Sequence, residues 1–478
     1  MRRALRLTVA LALALAPAAA GATPEQERAA AYDLALEAYR YAIPAVAMEG
    51  LRARQTSVAR PDRRANAPVN QLGHARDLAN PSVRVIVAPN TDTMYSSAHL
   101  DLSAEPMVLR IPEHGDRYLS FQLMDGWTNA FRYLRRPGAY AIVGPRWRGR
   151  LPRGVRPVSS HADRLWVLGR TLVDGPADVP AVRRLQARMR LVPLSRLDEP
   201  GWRPPATRPP PPRVTEAPLP VGAAFLAAAE AAIARNPPPA RDRPVLERIA
   251  AIGVGPLADP GLALTDAQEE GIAAALADAP RLIDEQWLAG IQAGVARDGG
   301  WYTPPANLGA YGTDYATRAL IAIRGLGANR PSEAVYPTAV TDGDGALLDG
   351  RNRYTLRFAP GQLPPAAAFW SMSMYDAEMF LVANPIDRYA IGDRTPGLRH
   401  GPDGSLRIVV SHERPPGGAA NWLPAPAGPF RLMLRIYRPE PAALSGRWRP
   451  PPLTRSTPAP APPAPATSPS GSSVRTAG

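Results

Sequence analysis

"VLRIPEHGDRYLSFQLMDGW", residues 108–127, and "TLRFAPGQLPPAAAFWSMSMYDAE", residues 355–378, carry one pattern twice. Each opens on an apolar run holding Leu-Arg: Leu109-Arg110 in the first, Leu356-Arg357 in the second. Each breaks at a proline turn and resumes as a second apolar run that reaches an aspartate. Ser120 and Asp125 match Ser371 and Asp376, and both pairs stand 251 residues apart. Tyr140-Ala141-Ile142 and Tyr389-Ala390-Ile391 extend the match, and "RLWVLGR" and "FRLMLRIY" close the two regions. Short runs rich in β-formers and punctuated by Pro and Gly predict antiparallel strands, and at this spacing sandwiches. Because order and spacing both hold, the pattern predicts an internal duplication.

Outward from these stretches the texture changes. Thr23-Pro24-Glu25-Gln26 has the form of a capping box with proline at the first helical position. It opens a helix expected over residues 24–41. "GAAFLAAAEAAIARN" and the run from Thr265 are alanine-rich and helical in period, and Thr265-Asp266-Ala267-Gln268 is a second capping box. The 478 residues predict two or three domains. The fold class read from this is α+β: two related antiparallel β-sandwich-like domains with an intervening helical block. The expected divisions are a signal peptide at 1–22, a helix plus first β-rich domain at 23–193, and a Pro-rich linker at 194–221. A helical block at 222–330, a second β-rich domain at 331–452 and a Pro/Ser/Ala-rich tail at 453–478 follow. The tail's composition predicts disorder.

"MRRALR", then "LTVALALALA", then "APAAAGA" read as the charged, apolar and cleavage regions of a signal peptide, cut near Ala22. The expected location is periplasmic or secreted. No later run is apolar and long enough to span a bilayer. The chain has no cysteine, so it makes no disulfide and carries out no thiol chemistry. Its formal net charge is +14, and every basic residue is arginine. These arginines are scattered, without a basic helix or finger spacing, which argues against a nucleic-acid partner. "TDGDGALLDG" places Asp342, Asp344 and Asp349 near one another but lacks calcium-loop spacing, and no metal ligand set is assigned.

"NTDTMYSSAHLDLSAEPMVLRIPEHGDRYLSFQLMDGWTN" resembles the first signature of a bacterial family defined by two domains of unknown function, DUF1254 followed by DUF1214. "NPIDRYAIGDRTPGL", "PDGSLRIVVSHE" and "NWLPAPAGPFRLMLRIYRPE" resemble the second. The resemblance implies an exported, two-domain, β-rich protein and no particular reaction or cofactor.

Candidate site residues come from the strand ends. In "PNTDTMYSSAHLDL" alternation puts Tyr95, Ser97, His99 and Asp101 on one face. That face is either a site or a solvated strand face. Asn90 is expected to cap its own backbone, and Asp92, between Thr91 and Thr93, to be a buried carboxylate. Asp92 and Asp125 are the candidate catalytic acid and base. Asp125 with Trp127 and Asn129, and Asp376 with Trp370 and Tyr375, have the chemistry of a sugar-binding cluster; the competing reading of each aspartate is a turn former. Asn90, Thr93 and Tyr95 complete the expected ligand set. Arg388 and Arg394 are candidate carboxylate clamps. Two functions fit: a carboxylate-dependent hydrolase or lyase for a small polar or sugar-like substrate, or a non-catalytic ligand-binding or envelope-associated protein. The oligomeric state stays open, a homo-oligomer being allowed. The Asn-Thr-Asp-Thr lead-in has no expected counterpart in the second half, which makes it the preferred place for a single site.

Overall fold

The computed structural model describes residues 22–84, 87–199, 201–208 and 219–456. The signal-peptide reading and most of the tail lie outside the described residues, as does the middle of the Pro-rich stretch. Part of that stretch is tied down: Thr207 N–H donates to Ala59 O at 3.1 Å and Gln71 Nε2 to Pro205 O at 3.0 Å.

Helix α1 (Pro24–Thr56) starts at the expected capping box but does not stop near Tyr41. Pro44 lies inside it. Proline removes one helical hydrogen bond, yet Ile43, Ala45, Val46, Ala47 and Met48 are all buried, and their packing carries the helix through. Helices α2 (Val179–Arg188), α3 (Ala223–Arg235), α4 (Arg243–Ile249), α5 (Asp266–Arg297) and α6 (Tyr315–Arg324) follow. Ala31, Ala35, Ala38 and Ala42 of α1 share a core with Ala275 and Ala279 of α5 and with Phe225, Val245 and Leu320. So the first part of α1 packs into the helical block through its alanine face, while Met48 and Leu51 near its end pack on Met124, Trp166 and Leu168 of the first β-rich unit. The approach of α1 to α5 is tight: a Cβ on Gly271 would lie 2.2 Å from Arg28 O.

The first β-rich unit has eight principal strands: β1 (Thr93–Asp101), β2 (Met107–Ile111), β3 (Leu119–Asp125), β4 (Ala130–Leu134), β5 (Gly138–Val143), β6 (Val155–Ser159), β7 (Arg164–Leu172) and β8 (Arg190–Pro193). The second has β9 (Thr338–Ala339), β10 (Arg353–Phe358), β11 (Ala366–Asp376), β12 (Ala390–Gly392), β13 (Leu406–Ser411), β14 (Trp422–Pro424), β15 (Phe430–Pro439) and β16 (Thr454–Ser456). The sheets of the first run β1-β7-β3-β4 and β6-β5-β2-β8. Those of the second run β9-β15-β11-β12 and β14-β13-β10-β16. Each strand of the second unit therefore occupies the place of the strand numbered eight lower. The register agrees too: Ser120 pairs Arg170 and Asp125 pairs Leu165, as Ser371 pairs Arg435 and Asp376 pairs Phe430. Leu109, Phe121, Leu123, Ile142 and Val167 fill one sandwich, and Leu356, Phe358, Met372, Ile408 and Leu434 the other.

Two details differ from expectation. Each second sheet has a parallel edge pair, β5 with β6 and β13 with β14, so neither sandwich is purely antiparallel. The Tyr-Ala-Ile match is also not structural. Residues 140–142 lie on β5, whereas Ala390 and Ile391 lie on β12, the twin of β4. Three apolar residues fit almost any strand, and only the pairing separates the two.

Candidate functional site

The two sandwiches meet through the outer faces of their first sheets. Alternation on β1 sends Thr93, Tyr95, Ser97 and His99 to this outer face, opposite Leu172, Arg170, Leu168 and Trp166 of β7. The expected common face is real, but it is buried rather than solvated. His99 is 2% exposed, bonds Gln55 Oε1 of α1 at 2.9 Å and stacks on Trp166. Burial, with Arg52 nearby, pushes its pKa down to about 3, so it is neutral and locked.

Farther along the same face lies a row of three residues, Tyr95, Arg170 and Ser120. The twin sheet repeats it. Ser371 pairs Arg435, and Tyr336 falls opposite Arg435 in the register set by Ala334–Tyr437 and Thr338–Met433. The rows Tyr95–Arg170–Ser120 and Tyr336–Arg435–Ser371 look into one layer. Tyr118, just before β3, joins it, with ring contacts to Phe369 and Tyr437 at 5.5 and 5.3 Å.

Each unit's lead-in to its first strand crosses onto the other unit. In residues 88–92, Ala88 O accepts from Arg435 Nη2 at 2.9 Å, Pro89 O from the Tyr375 hydroxyl at 2.7 Å, and Asn90 Nδ2 donates to the Tyr437 hydroxyl at 2.6 Å. Asp92 accepts from the Ser371 hydroxyl and from Arg394 Nη2, the latter at 3.0 Å. In residues 327–333, Gly327 O accepts from Arg170 Nη2 at 2.6 Å and Ala328 O from Gln122 Nε2 at 3.0 Å. Glu333 accepts from the Tyr118 hydroxyl at 2.6 Å and from Arg135 Nε at 2.7 Å. Arg135 follows β4, and Arg394 follows its twin β12. The interface is thus a reciprocal exchange, and Asp92 does have a counterpart: Glu333. The sequence signal was Thr91-Asp92-x-x-Tyr95 against Ser332-Glu333-x-x-Tyr336, 241 residues apart. It escapes a search for identical residues because Asp and Glu, Thr and Ser trade places.

The remaining site residues fall elsewhere. Asp92 and Asp125 lie at opposite ends of one sheet. Thr93 pairs Leu172 and Asp125 pairs Leu165 on β7, seven residues apart, or about 23 Å at 3.3 Å per residue. They cannot act as an acid/base pair on one substrate. Asp125 Oδ1 accepts from the backbone N–H of Trp127 at 2.9 Å and of Asn129 at 2.8 Å, and Asn129 Nδ2 reaches Oδ2 at 3.0 Å. Asp376 Oδ1 accepts from Phe380 N–H at 2.7 Å in the same way. Both turns place their fourth residue, Thr128 and Met379, at φ 67°. The duplicated aspartate is a turn former, as its competing reading had it. His161 Nε2 caps Asp125 Oδ2 at 2.8 Å, and that hydrogen bond raises the imidazole pKa.

Trp127 is no sugar platform. Its ring is covered by Tyr41 and by the Arg318 guanidinium, 5.1 Å from its centroid, and its Nε1 donates to Asn236 O. Trp370 is 4% exposed and packs on Phe358 in the second core. Arg388 clamps carbonyls, not a carboxylate: those of Ala419, Ala420 and Trp422. Arg394 pairs a carboxylate of the chain itself, Asp92. Asn90 caps as expected, its Oδ1 accepting from Asp92 N–H at 2.6 Å. Asp342 accepts from Asp344 and Ala346 N–H, a turn, and among the described residues no three acidic or histidine side chains cluster as metal ligands would. Also among them, no helix is long and apolar enough to cross a membrane.

Not every polar atom in the layer is spoken for. Arg170 and Arg435 are 5% and 3% exposed, and neither has a carboxylate within ion-pair distance among the described residues. Asp92 acts on Arg435, but its oxygens are taken by Ser371 and Arg394. Arg170 Nη1 also donates to Gln122 Oε1 at 2.7 Å and Asn329 Oδ1 at 3.0 Å. With the bond to Gly327 this uses three of a guanidinium's five N–H groups. The hydroxyls of Thr93 and Ser120, 1% exposed each, have no partner among the described residues. Tyr95 and Tyr336 keep part of their surface accessible beside these buried groups. Two surface hollows, of ≈ 200 and ≈ 190 Å³, lie elsewhere, one by Glu105, Trp147 and Asp163, the other by Glu230 and Pro237.

Residues 69–193 match the family model described as a protein of unknown function, DUF1254, and residues 333–441 match DUF1214, described in the same words. The chain is similar to the VPA0106 protein from Vibrio parahaemolyticus, with a TM-score of 0.64 and 21% identity over 89% of this chain and 100% of that one. A solved protein from Burkholderia cenocepacia covers 90% of this chain and 94% of its own, at 15% identity and a TM-score of 0.43. No curated protein matches.

Proposed function

We propose that this chain, which carries DUF1254 followed by DUF1214, is an exported binding protein for a small anionic ligand held between its two sandwiches. Export rests on the charged, apolar and small-residue order of the first 22 residues. The binding reading rests on one observation: Arg170 is buried, lacks a carboxylate, and faces unpartnered hydroxyls on the same sheet face. A buried guanidinium without a counter-charge costs several kcal/mol even when hydrogen-bonded, and an anion beside it recovers much of that. The alternative, a carboxylate-dependent hydrolase or lyase, loses its support, because Asp92 fastens the two units and Asp125 shapes a turn.

Thermal unfolding of the full chain against a panel of small anions and neutral sugars tests this. An anion at a hundred times its Kd stabilises by about 2.7 kcal/mol, a rise of roughly 3 °C for a chain of this size. Arg170→Gln should abolish the response. Stabilisation by neutral sugars alone would overturn the reading.

A further inference from the structure

We infer that the ligand presents a carboxylate to Ser120 and Arg170, the place in the first half that Asp92 fills in the second. This rests on the anion-binding reading and deepens it. Ser371 and Ser120 are twins by register, each opposite its own buried arginine. On Ser371 the place is taken, since its hydroxyl donates to the Asp92 carboxylate that arrives from the other unit. The reciprocal carboxylate, Glu333, does not reach Ser120. It sits on the Tyr118 hydroxyl, two residues along the same face, where Arg135 holds it. Ser120 is left with a buried hydroxyl and no acceptor, next to a guanidinium with N–H groups to spare. The protein itself thus shows, in one half, the group that suits this surface: a planar carboxylate received by a serine hydroxyl.

The ion pairs in the layer leave room for an acidic group. Arg135 meets Glu333, and Arg394 meets Asp92 and, at 3.5 Å, Asp393. Arg170 and Arg435 have no carboxylate within ion-pair distance among the described residues. A guanidinium edge and one hydroxyl fit a carboxylate better than a tetrahedral anion, which has more oxygens to satisfy.

The test is calorimetric titration of the full chain with acetate and benzoate, and separately with inorganic phosphate and sulfate. A carboxylate should bind, and Ser120→Ala should weaken it at least tenfold. The same variant should leave the unliganded urea midpoint unchanged, because the Ser120 hydroxyl has no partner to lose. Ser371→Ala should do the reverse, lowering the midpoint while changing carboxylate affinity less than threefold. If phosphate or sulfate binds, and Ser120→Ala leaves all affinities as they were, the carboxylate seat is wrong and anion binding stands. If none of the four probes binds, the anion-binding reading falls and this inference with it.

Discussion

Removing the Asp92 charge tests whether the crossing lead-in fastens the two sandwiches. The ion pair spans 3.0 Å from Asp92 Oδ1 to Arg394 Nη2, with side-chain exposures of 7% and 22%. At an effective dielectric of about 20, unit charges roughly 4 Å apart attract by about 4 kcal/mol. Desolvation offsets part of this, and hydrogen bonds to charged groups net about 1.5–3 kcal/mol. A coupling of about 2 kcal/mol is expected from the cycle of Asp92→Asn, Arg394→Gln and the double variant. Urea unfolding followed by tryptophan fluorescence reads it. The mirror cycle, Glu333→Gln with Arg135→Gln, should give about 1 kcal/mol, since Arg135 is 38% exposed and water screens it. Coupling under about 0.5 kcal/mol at Asp92 would mean that the carboxylate fastens nothing, and the reciprocal clamp would have to be abandoned.

Three further outcomes follow from the same geometry. Gly271→Ala places a methyl 2.2 Å from Arg28 O; overpacking costs about 1–3 kcal/mol, so a lower Tm is expected despite alanine's better helix propensity. Asp125→Ala strips acceptors from two buried backbone N–H groups and Asp376→Ala from one at a more open turn. The first should cost about 3 kcal/mol and the second about 1, and equal losses in urea would argue against twin turns of unequal burial. Burial holds His99 near a pKa of about 3 and His74 near about 4. Their folded values lie below the unfolded one, so their stability is full above about pH 6.5 and shrinks by about 1.4 kcal/mol per histidine for each pH unit below it. His161 has the opposite sign, its raised pKa adding stability that is present below about pH 6.5 and lost as pH rises through the folded value. Urea midpoints should fall from pH 6.5 to pH 5, and His99→Gln should flatten that slope.

Much of the architecture is legible without coordinates, because strands and helices advertise themselves locally. Both capping boxes were found where Thr23 and Thr265 announce them, and the duplication was visible in the spacing of Ser120 and Asp125 from Ser371 and Asp376. The end of α1 was missed because a proline signals a stop, while buried packing on both sides of Pro44 overrules it. Nothing in the sequence distinguishes Arg170 or Arg435, since in a chain whose 56 basic residues are all arginine no single one stands apart by type.

What the sequence by itself determined is the periodicity: two β-rich units, a helical block, and the polar residues at the head of β1. Those follow from interactions within a few residues, which the order of side chains specifies directly. Only the tertiary structure decided what the polar residues face. Asp92 meets Ser371 and Arg394 across 279 and 302 residues of chain, and Ser120 meets no acceptor among the described residues. Whether a buried carboxylate is a clamp or a catalyst, and whether a buried hydroxyl is spent or waiting, depends on distances that no local pattern encodes.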